Sequence, residues 1–93
     1  MIQSFKCAET AKILKGVVSR RLPQNLQSVM QRKLRMLHAA VRLENLRVPP
    51  GNRLEALKGN REGQHSIRVN DQFRVCFRWT EKGPADVEIT DYH

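Results

Sequence analysis

The sequence predicts an α+β fold: two N-terminal helices packed on one face of an antiparallel meander sheet. Two periodicities and one break predict it. Apolar residues recur at three- and four-residue steps through residues 26–41, then alternate from residue 65 onward. Between the two patterns, residues 47–52 carry two prolines and a glycine, which interrupt helix and strand alike. Helices first and strands after sort into a helical layer over a sheet.

In chain order, Ile2, Ser4 and Phe5 read as a short first strand. Residues 7–15 read as a helix with Glu9 in its first turn, Lys12 and Lys15 in its last, and Gly16 as a stop. Ala8, Ala11 and Leu14, with Ile13, form its expected apolar side. Pro23 suits the start of the second helix. There Leu26, Val29, Met30, Leu34, Leu37 and Val41 line a core-facing stripe, while Arg32, Arg35 and Arg42 make a cationic outer face. In the second half, His65, Ile67 and Val69 alternate with Ser66 and Arg68, and Asn70-Asp71 turns the chain. Phe73, Val75, Phe77 and Trp79 alternate with Arg74, Cys76 and Arg78; residues 81–84 form another turn; Val87 and Ile89 alternate with Glu88, Thr90 and Tyr92. Strand alternation therefore puts Arg74, Arg78 and Tyr92 on the sheet face away from the helices.

Ninety-three residues, 40% hydrophobic and 28% charged, fit one folded domain over residues 1–93. No apolar run approaches the ~20 residues of a membrane span, and the N-terminus lacks the apolar region of a secretion signal, so the expected location is the cytoplasm, with no membrane partner. Cys7 and Cys76 form no Cys-x-x-Cys pair and are expected to be small buried or half-buried thiols. Seventeen Lys and Arg stand against nine Asp and Glu, a net charge of +8. Residues 1–50 hold ten basic and two acidic residues and residues 51–93 seven of each, so the N-terminal half carries the whole excess. Such a field draws a polyanion, and nucleic acid is the default partner.

Three clusters bear chemistry. The glycine-bracketed turn 57–63 contains Lys58 and Arg61. Arg74 and Arg78 offer fixed donor forks suited to phosphate, although Arg74 is equally placed for an ion pair with Glu88. The closing Asp91-Tyr92-His93 sets an imidazole, which trades protons near neutrality, beside a carboxylate and a phenol; His38 lies at the border of the helical core stripe, His65 shares a face with Ile67 and Val69, and both are expected to be structural. No His/Cys/Asp/Glu set has metal-ligand spacing, and there is neither a Gly-rich phosphate loop nor a Gly-x-Ser-x-Gly elbow. The expectation is a site without metal or small-molecule cofactor.

The opening Met1-Ile2-Gln3-Ser4-Phe5, the turn Leu57-Lys58-Gly59-Asn60-Arg61-Glu62-Gly63, the hairpin from Ser66-Ile67-Arg68-Val69 to Arg74-Val75-Cys76-Phe77, and the closing Asp91-Tyr92-His93 resemble HigB toxins of the RelE/ParE superfamily. The resemblance runs over essentially the whole chain. It implies a toxin of a type II toxin–antitoxin pair, an endoribonuclease that enters the ribosomal A site, contacts rRNA and cuts the bound mRNA by 2′-hydroxyl attack without a metal, and that is inhibited by a helix-turn-helix antitoxin of the HigA type. Matching positions make Lys58 and Arg74 charge stabilisers and Tyr92 and His93 candidates for proton transfer or base stacking. Asp91 would orient His93 or be structural. Glu55 stands where some members carry a histidine, three residues before the lysine, as an alternative general base or a surface residue. Arg32, Arg35, Arg42, Arg61 and Arg78 are the expected RNA and ribosome contacts. Two rival functions are a ParE-like gyrase poison and a non-catalytic RNA- or ribosome-binding module; neither requires a proton donor at residues 92–93.

Overall fold

The computed structural model describes residues 1–91. Its sheet forms from the alternating half of the chain: β1 (Glu55–Ala56), β2 (His65–Arg68), β3 (Phe73–Thr80) and β4 (Gly83–Asp91), all antiparallel, in the order β1-β2-β3-β4. The meander is as expected, with β1 as an addition: two residues are too few to show alternation. β4 also starts earlier than the expected turn at 81–84 allowed. Pro84 has no amide hydrogen to give, but its carbonyl accepts from the Gln3 amide at 2.7 Å. At Gly83 (φ +132°) a Cβ would collide with the Met1 carbonyl, so the close pass of the N-terminus requires glycine there.

The N-terminal residues form one parallel bridge, Phe5 with Val87, rather than a full strand. Helix α1 (Ala8–Leu14) follows; of its expected apolar side Ile13 is buried and Leu14 packs against the core, but Ala8 is exposed and Thr10 is buried in addition. The burial of Thr10 has a polar cause. The Ile89 amide of β4 donates to Thr10 Oγ1 at 3.0 Å, which satisfies a backbone donor where the N-terminal bridge has ended.

Pro23 leads into a short 3-10 turn (Gln24–Leu26) and then helix α2 (Gln27–Ala39). Met30, Leu34 and Leu37 are fully buried in one cluster with Ile13, Ile67, Val75, Phe77 and Val87, so the helical stripe and the alternating strand face meet as the periodicities require. Val41 is not part of it. Ala40 is extended (ψ 129°), the helix has ended, and Val41 is 84% exposed. His38 Nδ1 accepts from the Ile2 amide, and His65 stacks on Phe77; both histidines are thus built into the fold. Cys76 is fully buried and Cys7 half-buried, both free thiols, and burial pushes the Cys76 thiol above its ordinary range. Among the described residues no helix is long and apolar enough to cross a membrane.

Lys33 is the unexpected member of α2: it lies beside Leu34, only 7% exposed. Its Nζ donates to Asn52 Oδ1 at 2.6 Å, and Asn52, also buried, donates through Nδ2 to the Leu46 and Val48 carbonyls. This pair pins the 43–53 segment, with its 3-10 turns Leu43–Arg47 and Pro50–Asn52, to the helix. Burial, with Arg32 and Arg68 nearby, holds the Lys33 ammonium below the ordinary lysine value of 10.5. The sign follows. Below its folded value Lys33 carries the full cost of a desolvated charge; between that value and 10.5 the unfolded chain keeps the proton more firmly, so stability rises with pH. The stability of the protein relative to its Lys33→Met variant should therefore improve as pH is raised toward 10.5. Denaturant titrations of both at several alkaline pH values measure it; a difference that is flat or falls with pH counts against the desolvated charge.

Candidate functional site

The sheet face away from the core carries the candidate site, and alternation places its parts. Glu55 pairs with Ser66, and Ser66 with Cys76, across β1, β2 and β3, while Arg74 stands one step diagonal to Ser66. Arg74 is held on several sides, its side chain only 11% exposed. Its Nε donates to Ser66 Oγ at 2.6 Å and its Nη2 to the Arg53 carbonyl at 2.7 Å, and Glu55 Oε1 lies 3.3 Å from Nη2. No hydrogen bond engages Arg74 Nη1 among the described residues. The ion pair runs to Glu55, not to the Glu88 that the sequence offered as an equal partner. Because the Glu55 side chain is 54% exposed, the pairing contributes only about 0–1 kcal/mol.

Glu88 is engaged by Arg61, whose Nη1 donates to Glu88 Oε1 at 2.9 Å and to Gln64 Oε1 at 3.1 Å. Arg61 belongs to the segment between β1 and β2, yet it reaches β4. The 57–64 segment therefore folds over this face, and Ser66 and Cys76 beneath are fully buried. The face away from the helices is thus partly roofed. Lys58, at the entry to the short 3-10 turn Gly59–Arg61, is exposed, and its Nζ has no hydrogen-bond or ion-pair partner among the described residues.

Arg78 shares the strand face of Arg74 but not its site. Four strand residues, roughly 13 Å, separate them, and a bulge slips the register so that Cys76 faces Glu88 but Arg78 faces Ala85. The extra residue, Asp86 (φ +53°), takes the Arg78 Nε at 3.2 Å. Asp91 lies opposite Phe73 on β4 and its Oδ2 accepts from Gln72 Nε2 at 2.9 Å. Tyr92 and His93 lie outside the described residues. Arg32 and Arg35 are exposed on α2 and Arg42 just beyond it, on the helical side of the sheet and not the side of Arg74. No group of three or more metal-binding side chains occurs among the described residues.

Reasoning from residue types missed Ser66 and the Arg53 carbonyl. Ser66 was within reach, since hairpin alternation puts it on the Arg74 face. A backbone carbonyl leaves no trace in composition.

An oriented, largely buried guanidinium paired with an exposed carboxylate, on a small basic α+β scaffold, has the charge and geometry to hold an anion. Comparison with known families specifies the scaffold further. The family model for the RelE-like toxin of the type II toxin–antitoxin system HigB matches residues 10–93, and the chain belongs to this HigB-like toxin family. It is similar to Toxin HigB-1 of Vibrio cholerae, 47% identical over 62 residues, which covers 67% of this chain and 65% of that protein. It is also 39% identical over 64 residues to an uncharacterized protein of Haemophilus influenzae, covering 69% of this chain and 63% of the relative. The matches thus span a little under two thirds of the length of these relatives.

Proposed function

We propose that this chain is a ribosome-dependent endoribonuclease that cuts translated mRNA in the A site, acting as the toxin of a type II pair whose antitoxin is a helix-turn-helix protein of the HigA type. The observation that carries the reading is the Arg74 guanidinium, fixed through Nε and Nη2 with Nη1 unengaged among the described residues, paired with exposed Glu55 in a chain of the HigB-like family, with exposed Lys58 three residues further along the chain. In the proposed reaction the ribose 2′-oxygen bonds to the adjacent phosphorus, its proton passes to a base, the bond from phosphorus to the 5′-oxygen breaks, and an acid protonates that oxygen. A 2′,3′-cyclic phosphate is left. Arg74 and Lys58 supply the positive charge that the phosphorane needs. Glu55, Tyr92 and His93 share the proton transfers, with Asp91 orienting His93. The proposed chemistry uses the chain's own cations and no metal.

The test is to map mRNA 5′ ends after brief expression, with translation running and with it blocked. The reading expects cuts within translated frames that vanish when translation stops. Cuts independent of translation would remove the ribosome from the reading. Growth arrest with intact mRNA would favour gyrase poisoning or simple binding.

The cations of the helical side take a separate part, docking on rRNA. Each phosphate neutralised releases counterions, so binding weakens with salt in proportion to the number of phosphates engaged. Reversing Arg32 and Arg35 to glutamate should weaken ribosome association and flatten its salt dependence, by roughly one unit of log–log slope for each phosphate left unneutralised. Sedimentation binding at several salt concentrations measures it, and an unchanged slope would make these arginines a solvated face only.

A further inference from the structure

We infer that Ser66 and the Arg53 carbonyl act together as a positioning fork that aims Arg74 at the scissile phosphate, Ser66 being a positioning residue for the proposed cleavage. This deepens the proposed function and rests on it. Ser66 is fully buried at the centre of β2, where a hydroxyl needs a partner, and it accepts from Arg74 Nε at 2.6 Å. The Arg53 carbonyl accepts from Nη2 at 2.7 Å, and Arg53 adopts a left-handed conformation (φ +46°, ψ +56°) uncommon for a side-chain-bearing residue. That conformation ends the turn which buried Asn52, bonded to Lys33, anchors from beneath. Both acceptors therefore come from well-anchored backbone, one on a central strand and one on a pinned turn.

The consequence is geometric. A guanidinium is planar, so two acceptors on Nε and Nη2 fix its plane as well as its position. Its remaining nitrogen, Nη1, is then presented in one direction. Without the Ser66 hydroxyl the Nε anchor is gone, and the plane can swing about the contacts left to Nη2, chiefly the Arg53 carbonyl. A displacement of about 1 Å at a reacting centre costs up to about 100-fold in rate.

The experiment compares Ser66→Ala with the unaltered protein by two readouts. Single-turnover cleavage of mRNA on programmed ribosomes should fall roughly 10- to 100-fold, with ribosome affinity unchanged. The Arg74 Nε–H resonance, observed by NMR in the free protein, should shift and exchange with water faster. Ser66→Cys keeps an atom in the buried place but accepts hydrogen bonds weakly, so it should fall between, and it carries the comparison if Ser66→Ala does not fold. In an Arg74→Lys background, which has no Nε at that point, Ser66→Ala should change little further. Unaltered cleavage and an unaltered Nε–H signal in a folded Ser66 variant overturn the inference. If the unaltered protein cuts no mRNA while the Nε–H signal still depends on Ser66, the fork stands as geometry and the nuclease reading is what fails.

Discussion

Replacing Arg74 by alanine is expected to lower mRNA cleavage by about 10²–10³-fold, the usual loss when a preorganised donor to a developing oxyanion is removed. Arg74 is already desolvated, with its side chain 11% exposed, so little reorganisation is needed when charge builds on the phosphorane. The low local dielectric strengthens that interaction. Arg74→Lys keeps the charge but loses the planar fork and should recover only part of the rate. Lys58→Ala should be comparably damaging, although Lys58 is exposed and holds no partner among the described residues, so its loss leaves the fold unchanged. Arg74→Ala does have a structural cost. It strands the buried Ser66 hydroxyl, about 1–3 kcal/mol, so the rates must be compared at a temperature where both proteins remain folded. Single-turnover cleavage together with a thermal melt separates the two effects. A folded Arg74→Ala protein that cuts at the original rate would remove Arg74 from the chemistry.

The second large effect is expected at the chain's end. Changing Tyr92 and His93 together to alanine should reduce cleavage by about 10²–10⁴-fold, the typical contribution of a positioned acid or base, and abolish growth arrest. The core contacts of β4 come from Val87 and Ile89, and its last described pairing is Asp91 with Phe73, so the substitutions leave every described strand pairing in place. The single changes should divide the roles. His93→Ala should remove the neutral-pH limb of the rate profile if the imidazole transfers a proton, whereas Tyr92→Phe should retain stacking and lose only what the hydroxyl does. A folded double variant that still arrests growth and still cuts mRNA would move the site elsewhere on the molecule.

Much of this arrangement was legible in the residues, and the parts that were not share a cause. The α2 stripe and the β2–β4 alternation showed because each repeats over several residues on a half-buried element, which is the condition for a period to appear. Arg74 on the face away from the core followed from the same alternation. What stayed hidden depended on single interactions at a distance in sequence. Thr10 turns inward because the Ile89 amide needs an acceptor 79 residues away. Lys33 sits among leucines because Asn52 awaits it, and no helical wheel carries that information. Arg78 matched Arg74 in type and parity, yet one inserted residue, Asp86, gave it a different partner. The roof over Ser66 and Cys76 came from Arg61 crossing to Glu88, a bond spanning 27 residues.

The two margins of the sheet bear on how the protein keeps company. On the outer side of β4, the Gln3 and Lys6 amides and the Ser4 carbonyl already occupy Pro84 and Val87, and α1 closes the next position through Thr10. On the opposite side β1 is two residues long, and the β2 margin beyond it ends in a charged Arg68 paired with Asp71. Among the described residues neither margin offers a long, flat row of unpaired backbone groups of the kind that recruits a foreign strand. A chain with this build should resist fibrillar self-association at high concentration, and an inhibitor would have to seize it through side chains and surface shape instead of by lengthening its sheet.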